Sequence, residues 1–285
     1  MSLPLTERPF LAALAARRVD HGCLCIGLDP EPGALPPGYT GLEGVVRFCR
    51  EIIRATEDLV LAYKPNLAFF ERWGAEGFAA LADIVAAVPS GIPVIADGKR
   101  GDIGNTSRAY AEGLYEALPA GACTVSPYLG ADAVAPLLDH PRGFAFVLCR
   151  TSNPGAGALQ DLLVEGEPLY VRVLRLFAPW LERGRAGLVI GAREHGAFAW
   201  AAKLAPLAPI LVPGIGAQGG TVEELAAALS PGQARKIVVS ASRSIIHASQ
   251  GSDFASAART AAIELRDRLG TALRAVEEAD GNPAV

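Results

Sequence analysis

Short apolar runs punctuate this chain, and each one ends in polar or turn-forming residues before helical patterning resumes. The runs are Cys23 to Leu28, Val60 to Tyr63, Val94 to Ala96, Ala122 to Ser126, Phe144 to Leu148, Gly187 to Ile190, Ile210 to Val212 and Ile237 to Val239. Helical spacing fills the intervals at Leu42 to Leu59, Trp73 to Val88, Gly104 to about Leu118, Asp132 to Leu138, Glu167 to Arg183, Glu194 to Leu204, Val222 to Leu229 and Phe254 to Leu269. Asn105 or Thr106 is the expected cap of the helix that opens at Gly104. A further helix over Leu5 to Arg18 precedes the first strand. Strand followed by helix, eight times over about 250 residues, predicts a TIM (β/α)8 barrel and disfavours an open doubly wound sheet. The barrel is expected as a single domain over residues 1–270 with a leading N-terminal helix, and residues 271–285 as a tail that begins helical, becomes polar and frays.

Composition narrows the class without changing the fold. Of the 285 residues, 51% are hydrophobic and 20% charged, enough for one large core. A formal net charge of -4 leaves no basic footprint for a nucleic-acid polymer, and no polybasic run marks a membrane surface. Met1 to Phe10 lacks an apolar segment of signal-peptide length, and no run is long enough to span a bilayer, so a cytoplasmic protein is expected. The five cysteines, Cys23, Cys25, Cys49, Cys123 and Cys149, are odd in number and mostly sit in apolar strands, which points to buried thiols rather than disulfides.

In a barrel of this kind the active site lies at the C-terminal ends of the strands. There the sequence places Asp29, Lys64, Asp97, Lys99, Ser152, Gln218 and Arg243. The densest cluster is Asp97-Gly98-Lys99-Arg100-Gly101-Asp102, and strand alternation puts Asp97 and Lys99 on one side. A surface ion pair is the bland reading, and the polar ends of the neighbouring strands weigh against it. The glycine-rich loop Gly214 to Gly220, followed after the next strand by Ser242-Arg243, occupies the usual phosphate position of the fold. Its Gly214-x-Gly216-x-x-Gly219 spacing also fits a dinucleotide fingerprint, but it comes late and lacks the partner acid. Asp97 and Asp102 could ligate Mg²⁺, yet Lys64 and Lys99 crowd the same rim, and the four histidines show no ligand spacing. A metal-free site that does not bind NAD is therefore favoured. Schiff-base chemistry would need a neutral Lys99, whereas flanking carboxylates favour an ammonium suited to donating a proton.

The run Asp97 to Thr106, together with Gly27-Leu28-Asp29-Pro30, Lys64-Pro65-Asn66, Arg150-Thr151-Ser152-Asn153-Pro154-Gly155, Pro213 to Gly220 and Ser242 to Ile245, resembles the orotidine 5'-phosphate decarboxylases of the longer bacterial type. The Asp-x-Lys-x-x-Asp core alone is shared with Mg²⁺-dependent sugar-phosphate decarboxylases and synthases of the same superfamily, which stand as the alternative. A non-catalytic phosphate-binding barrel is a third. The resemblance implies decarboxylation of orotidine 5'-monophosphate to UMP and CO₂ in pyrimidine biosynthesis, without metal or cofactor. It implies that Asp97 faces the substrate carboxylate, Lys99 protonates C6, and Lys64 and Asp29 hold the ribose and order the charges. By the same resemblance Ser152 reads the pyrimidine edge and Gln218 with Arg243 grips the phosphate, with Pro213 and Ser242 as further substrate-binding positions. Asp102 and Thr106 resemble residues that complete a partner's site, implying a homodimer. Gly98 stands where the family run has Ala, and the long segment from Gly155 to Pro168 has no assigned role.

Overall fold

The computed structural model describes residues 9–216 and 220–279. Its eight parallel strands are Leu24–Leu28, Ala62–Pro65, Ile95–Arg100, Ala122–Val125, Ala145–Arg150, Ala186–Ile190, Ile210–Pro213 and Ile237–Ala241, here called first to eighth. Hydrogen-bonded neighbours run second, first, eighth, seventh, sixth, fifth, fourth, third. The pairs Tyr63↔Val94 and Asn66↔Asp97 bring the second strand against the third and nearly close the barrel. Helices separate the strands, as the periodicity predicts.

Alternation along the strands builds two apolar layers. Leu24, Ile26, Val147, Leu188 and Val239 point outward into the core shared with the helices. One residue from each strand points inward: Cys25, Ala62, Ile95, Ala122, Phe146, Val189, Leu211 and Val238. The leading helix, Pro9–His21, plugs the lower end of that inner layer with Phe10 and Leu14. Phe10 stacks on Phe144 with ring centroids 4.9 Å apart and meets Phe146 edge-on at 5.9 Å. All five cysteines are free and buried, and burial pushes the Cys25 thiol up to about 12, so it stays protonated.

Several boundaries differ from the sequence reading. The third strand extends through Arg100, carrying the charged residues within it. The helix at Gly104 has Ile103 as its N-cap and no side-chain cap from Asn105 or Thr106. Its start is tied down instead by Ser107, whose hydroxyl accepts from Asp102 N and reaches the Ala133 carbonyl. Glu167 and Pro168 belong to a small hairpin with Leu163 and Val164, and the helix that follows is Leu169–Arg183. The closing helix passes Gly270 and runs to Glu278 with Leu273 buried, so the helical start expected of the tail extends over its first eight residues. Buried leucines on one face outweigh the roughly 1 kcal/mol that a mid-helix glycine costs.

Candidate active site

Two residues beyond the inner apolar layer, toward the C-terminal mouth, the inward positions become Gly27, Lys64, Asp97, Thr124, Leu148, Gly191, Pro213 and Ser240. Strand geometry alone therefore gathers a lysine and an aspartate in the next layer up. Lys64 Nζ lies 2.6 Å from Asp97 Oδ2, and both side chains are about nine-tenths buried. Lys99 Nζ lies 2.7 Å from Asp97 Oδ1 and is half exposed at the mouth. Thr124 donates its hydroxyl to the same Oδ1 at 2.8 Å and accepts the Lys99 N–H at 2.9 Å.

Asp97 and Lys99 meet, but not by plain alternation. The third strand shifts register against the fourth between Ala96 and Arg100, and Lys99 takes a left-handed φ of 47°. A non-glycine residue is uncommon there, and the bulge re-aims the ammonium over the carboxylate. Gly98 within the bulge has a steric reason: a Cβ at that position would come 2.6 Å from Leu67 Cδ1. The space that Ala would fill is taken by Leu67.

Electrostatics fix the charge states of the buried pair. Burial opposes the charge on Lys64, but Asp97 and then Asp29 outweigh it and push its pKa above the ordinary lysine value. Burial likewise opposes the Asp97 carboxylate, and Lys64 followed by Lys99 overcomes it, holding the group well below the usual carboxylate range. The array is therefore ammonium, carboxylate, ammonium, with both carboxylate oxygens engaged. Mg²⁺ at Asp97 would have to displace two ammonium groups, and among the described residues no three His, Cys, Asp or Glu side chains gather as a metal site.

Around this array lie groups with unmet hydrogen-bonding capacity. Asp29 Oδ1 and Ser242 Oγ are buried without a partner. Both border Gly27, where a Cβ would fall 2.8 Å from Ser242 Cβ and 3.5 Å from Asp29 Oδ1. A glycine is needed there for the two polar groups to converge, and their free valences suit a polyhydroxylated ligand. Next to them the loop after the seventh strand leaves Pro213 through Gly214 and Gly216, at φ 93° and 84°. Its neck is closed by Gly216 N–H donating to Gly220 O at 2.9 Å. Arg243, exposed at the start of the short helix Arg243–Ile246, enters no ion pair among the described residues. Gln218 lies outside the described residues.

Asp102 and Thr106 are not brought to the array of their own chain. Asp102 Oδ1 accepts the Ile103 N–H at 2.7 Å, and Thr106 is exposed on the following helix. Ser152 closes the fifth strand against Gly191, where a Cβ would come 2.8 Å from Ser152 Cβ. Thr124 is the site residue that the sequence reading missed. Its signal was a hydroxyl at an inward position of an otherwise apolar strand, two residues on from Ala122.

Fold and site define a parallel barrel with a lysine–aspartate–lysine array at its mouth, in which Lys64 and Asp97 are buried and Lys99 is half exposed. A profile of the orotidine 5'-phosphate decarboxylase / HUMPS family matches residues 22–259, and the chain belongs to that family. The chain is 49% identical over 256 residues to an orotidine 5'-phosphate decarboxylase of Roseiflexus castenholzii, covering 89% of this chain and 94% of that one. It is 44% identical to that of Azoarcus sp. over 264 residues, covering 91% and 98%. Among solved structures, the Leishmania donovani OMP decarboxylase superposes with a TM-score of 0.80 at 37% identity, covering 93% and 98%. The UMP synthase of the same organism superposes at 0.83 with 39% identity, covering 93% of this chain and 56% of its own length.

Proposed function

We propose that the protein decarboxylates orotidine 5'-monophosphate to UMP and CO₂, and that the Lys64–Asp97–Lys99 array is where it does so. Membership of the family and relatives named orotidine 5'-phosphate decarboxylase support the reaction. The single observation that carries the site is Asp97 clamped between two lysines, one buried and one at the mouth.

Loss of CO₂ from C6 of the pyrimidine leaves an electron pair in the ring plane, with no conjugated system to receive it. A fixed cation beside C6 stabilises that charge, and a proton delivered there ends it. Lys99 supplies both: its ammonium faces the carbanion, and the C–H bond forms as the Nζ–H bond breaks. Asp97 and Lys64 hold Lys99 in place, so the field is set before substrate arrives. Asp29 and Lys64 take the ribose, Ser152 reads the pyrimidine edge, and Arg243 with Gln218, Pro213 and Ser242 takes the phosphate. Gripping the phosphate contributes binding energy that positions the distant reacting carbon.

We further read the protein as a cytoplasmic homodimer. Asp102, just past the third strand, and Thr106, exposed on the following helix, make no hydrogen bond or ion pair with the array among the described residues, which fits completion of a partner's site. A single-chain mass by sedimentation equilibrium would contradict that pairing. No helix among the described residues is long and apolar enough to cross a membrane.

The reaction is tested by following loss of orotidine 5'-monophosphate absorbance with purified protein in excess EDTA. Sustained turnover is expected. Turnover absent in EDTA and restored by Mg²⁺ on sugar phosphates would move the protein to the alternative branch of the superfamily.

A further inference from the structure

The segment between the fifth strand and its helix is tied directly to the residues flanking Ser152. Its short helix, Gly157–Gln160, and the Leu163–Val164/Glu167–Pro168 hairpin fold back beside the strand end. Gln160 Oε1 accepts the Thr151 N–H at 2.8 Å, and Gln160 Nε2 donates to Thr151 Oγ1 at 3.0 Å. Asp161 takes the Arg150 guanidinium in a fork, Nε to Oδ1 at 2.8 Å and Nη2 to Oδ2 at 2.9 Å. The remaining arm of Arg150 donates to the Thr151 carbonyl at 2.5 Å and faces Glu194 at 3.5 Å. Both backbone polar groups of Thr151, the residue before Ser152, are thereby held by side chains.

These bonds are more than a loop needs to stay folded. A strand end has no ladder partner for its last peptide, and such a peptide is free to rotate unless something fixes it. Here Gln160 holds the N–H of the peptide between Arg150 and Thr151, and Arg150, oriented by Asp161, holds the carbonyl of the next peptide, between Thr151 and Ser152. On the other flank Ser152 rests on Gly191, whose N–H donates to the Arg150 carbonyl at 2.9 Å. The two peptides leading into Ser152 are therefore held at three points, and the one that enters Ser152 is held through its carbonyl. The side chain of a residue follows its backbone, so whatever sets this peptide sets where the Ser152 hydroxyl stands.

We infer that Gln160 and Asp161 are positioning residues for base recognition, holding Ser152 in register through Thr151 and Arg150. The inference rests on the reading of Ser152 as the contact to the pyrimidine edge. It gives the segment from Gly155 to Pro168 a static bracing role.

The test compares UMP with ribose 5-phosphate, which carries the same phosphate and sugar without the base, by calorimetric titration of the purified protein. Gln160→Ala is expected to weaken UMP about tenfold, the scale of one lost hydrogen bond to a positioned partner, and to leave ribose 5-phosphate unchanged. Gln160→Glu keeps the acceptor for the Thr151 N–H and is expected to restore UMP binding. Asp161→Asn, which cuts the Arg150 fork without touching Thr151, is expected to move the same ratio in the same direction. In a Ser152→Ala background, Gln160→Ala is expected to add nothing further. Equal losses for both ligands, or intact UMP binding in Gln160→Ala when Ser152→Ala weakens it, would overturn the bracing role. A silent Ser152→Ala would instead remove the base contact itself and the inference with it.

Discussion

Asp97 is the residue on which the proposed site turns, because it is a buried anion held between two ammonium groups. Replacing it with Asn keeps the shape and removes the charge, leaving Lys64 buried with Asp29 as its remaining acidic neighbour. Breaking a buried pair on one side costs about 3 kcal/mol, and Asp97→Asn is expected to lower unfolding stability in urea by that order. A loss below about 0.5 kcal/mol would show that the pair is not energetically coupled. The pH dependence of this difference has a definite sign. The Asp97 carboxyl is held below its ordinary 3.8, so its contribution is full above that value and fades as pH falls through the folded value. Lys64 is raised above its ordinary 10.5, so its contribution is full below that value and fades as pH rises through the folded value. The stability gap between wild type and Asp97→Asn is thus expected to be flat between those two limits and to shrink beyond either. Most of this array was legible in the sequence, since a strand that ends in alternating charges declares itself. Thr124 was not, because one hydroxyl inside an apolar strand carries its meaning only across the sheet, where it meets Asp97 and Lys99.

At the scale of elements, the hydrophobic pattern located every barrel strand to within a few residues, since strands buried on both faces stand out as apolar runs. What the pattern could not give was departure from regular geometry. The left-handed Lys99 depends on the register shift against the fourth strand, which no local signal announces. The start of the helix at Gly104 is similar: Asn105 and Thr106 have capping chemistry, yet Ser107 makes the bonds because Asp102 and Ala133 are within its reach. The leading helix was visible as a helix, but its task as a plug depends on the Phe10, Phe144 and Phe146 rings meeting in three dimensions. Phe10→Ala is expected to lower stability by about 3 kcal/mol through the cavity it leaves, with substrate affinity unchanged. Thermal or urea unfolding beside UMP titration checks both parts, and a loss of UMP affinity would mean that the plug shapes the mouth at the opposite end.

For the whole molecule, the nearly closed barrel explains why charged groups distant in sequence converge. Lys64, Asp97 and Thr124 come from three successive strands, and a common inward alternation lifts them to the mouth above one apolar layer, with Asp29 just past the end of the first strand. The lower end is sealed by apolar packing and the upper end carries the charge, so stability and chemistry occupy opposite ends of the same strands. The central claim is that Lys99, held by Asp97 and Lys64, delivers the proton that completes decarboxylation. The most direct test is single-turnover decay of orotidine 5'-monophosphate by Lys99→Ala, with UMP affinity measured on the same sample. A rate lower by about 10³-fold or more, with UMP binding kept within about tenfold, is the expected result. Decay within about tenfold of the wild-type rate would contradict it and place the proton donor elsewhere in the mouth.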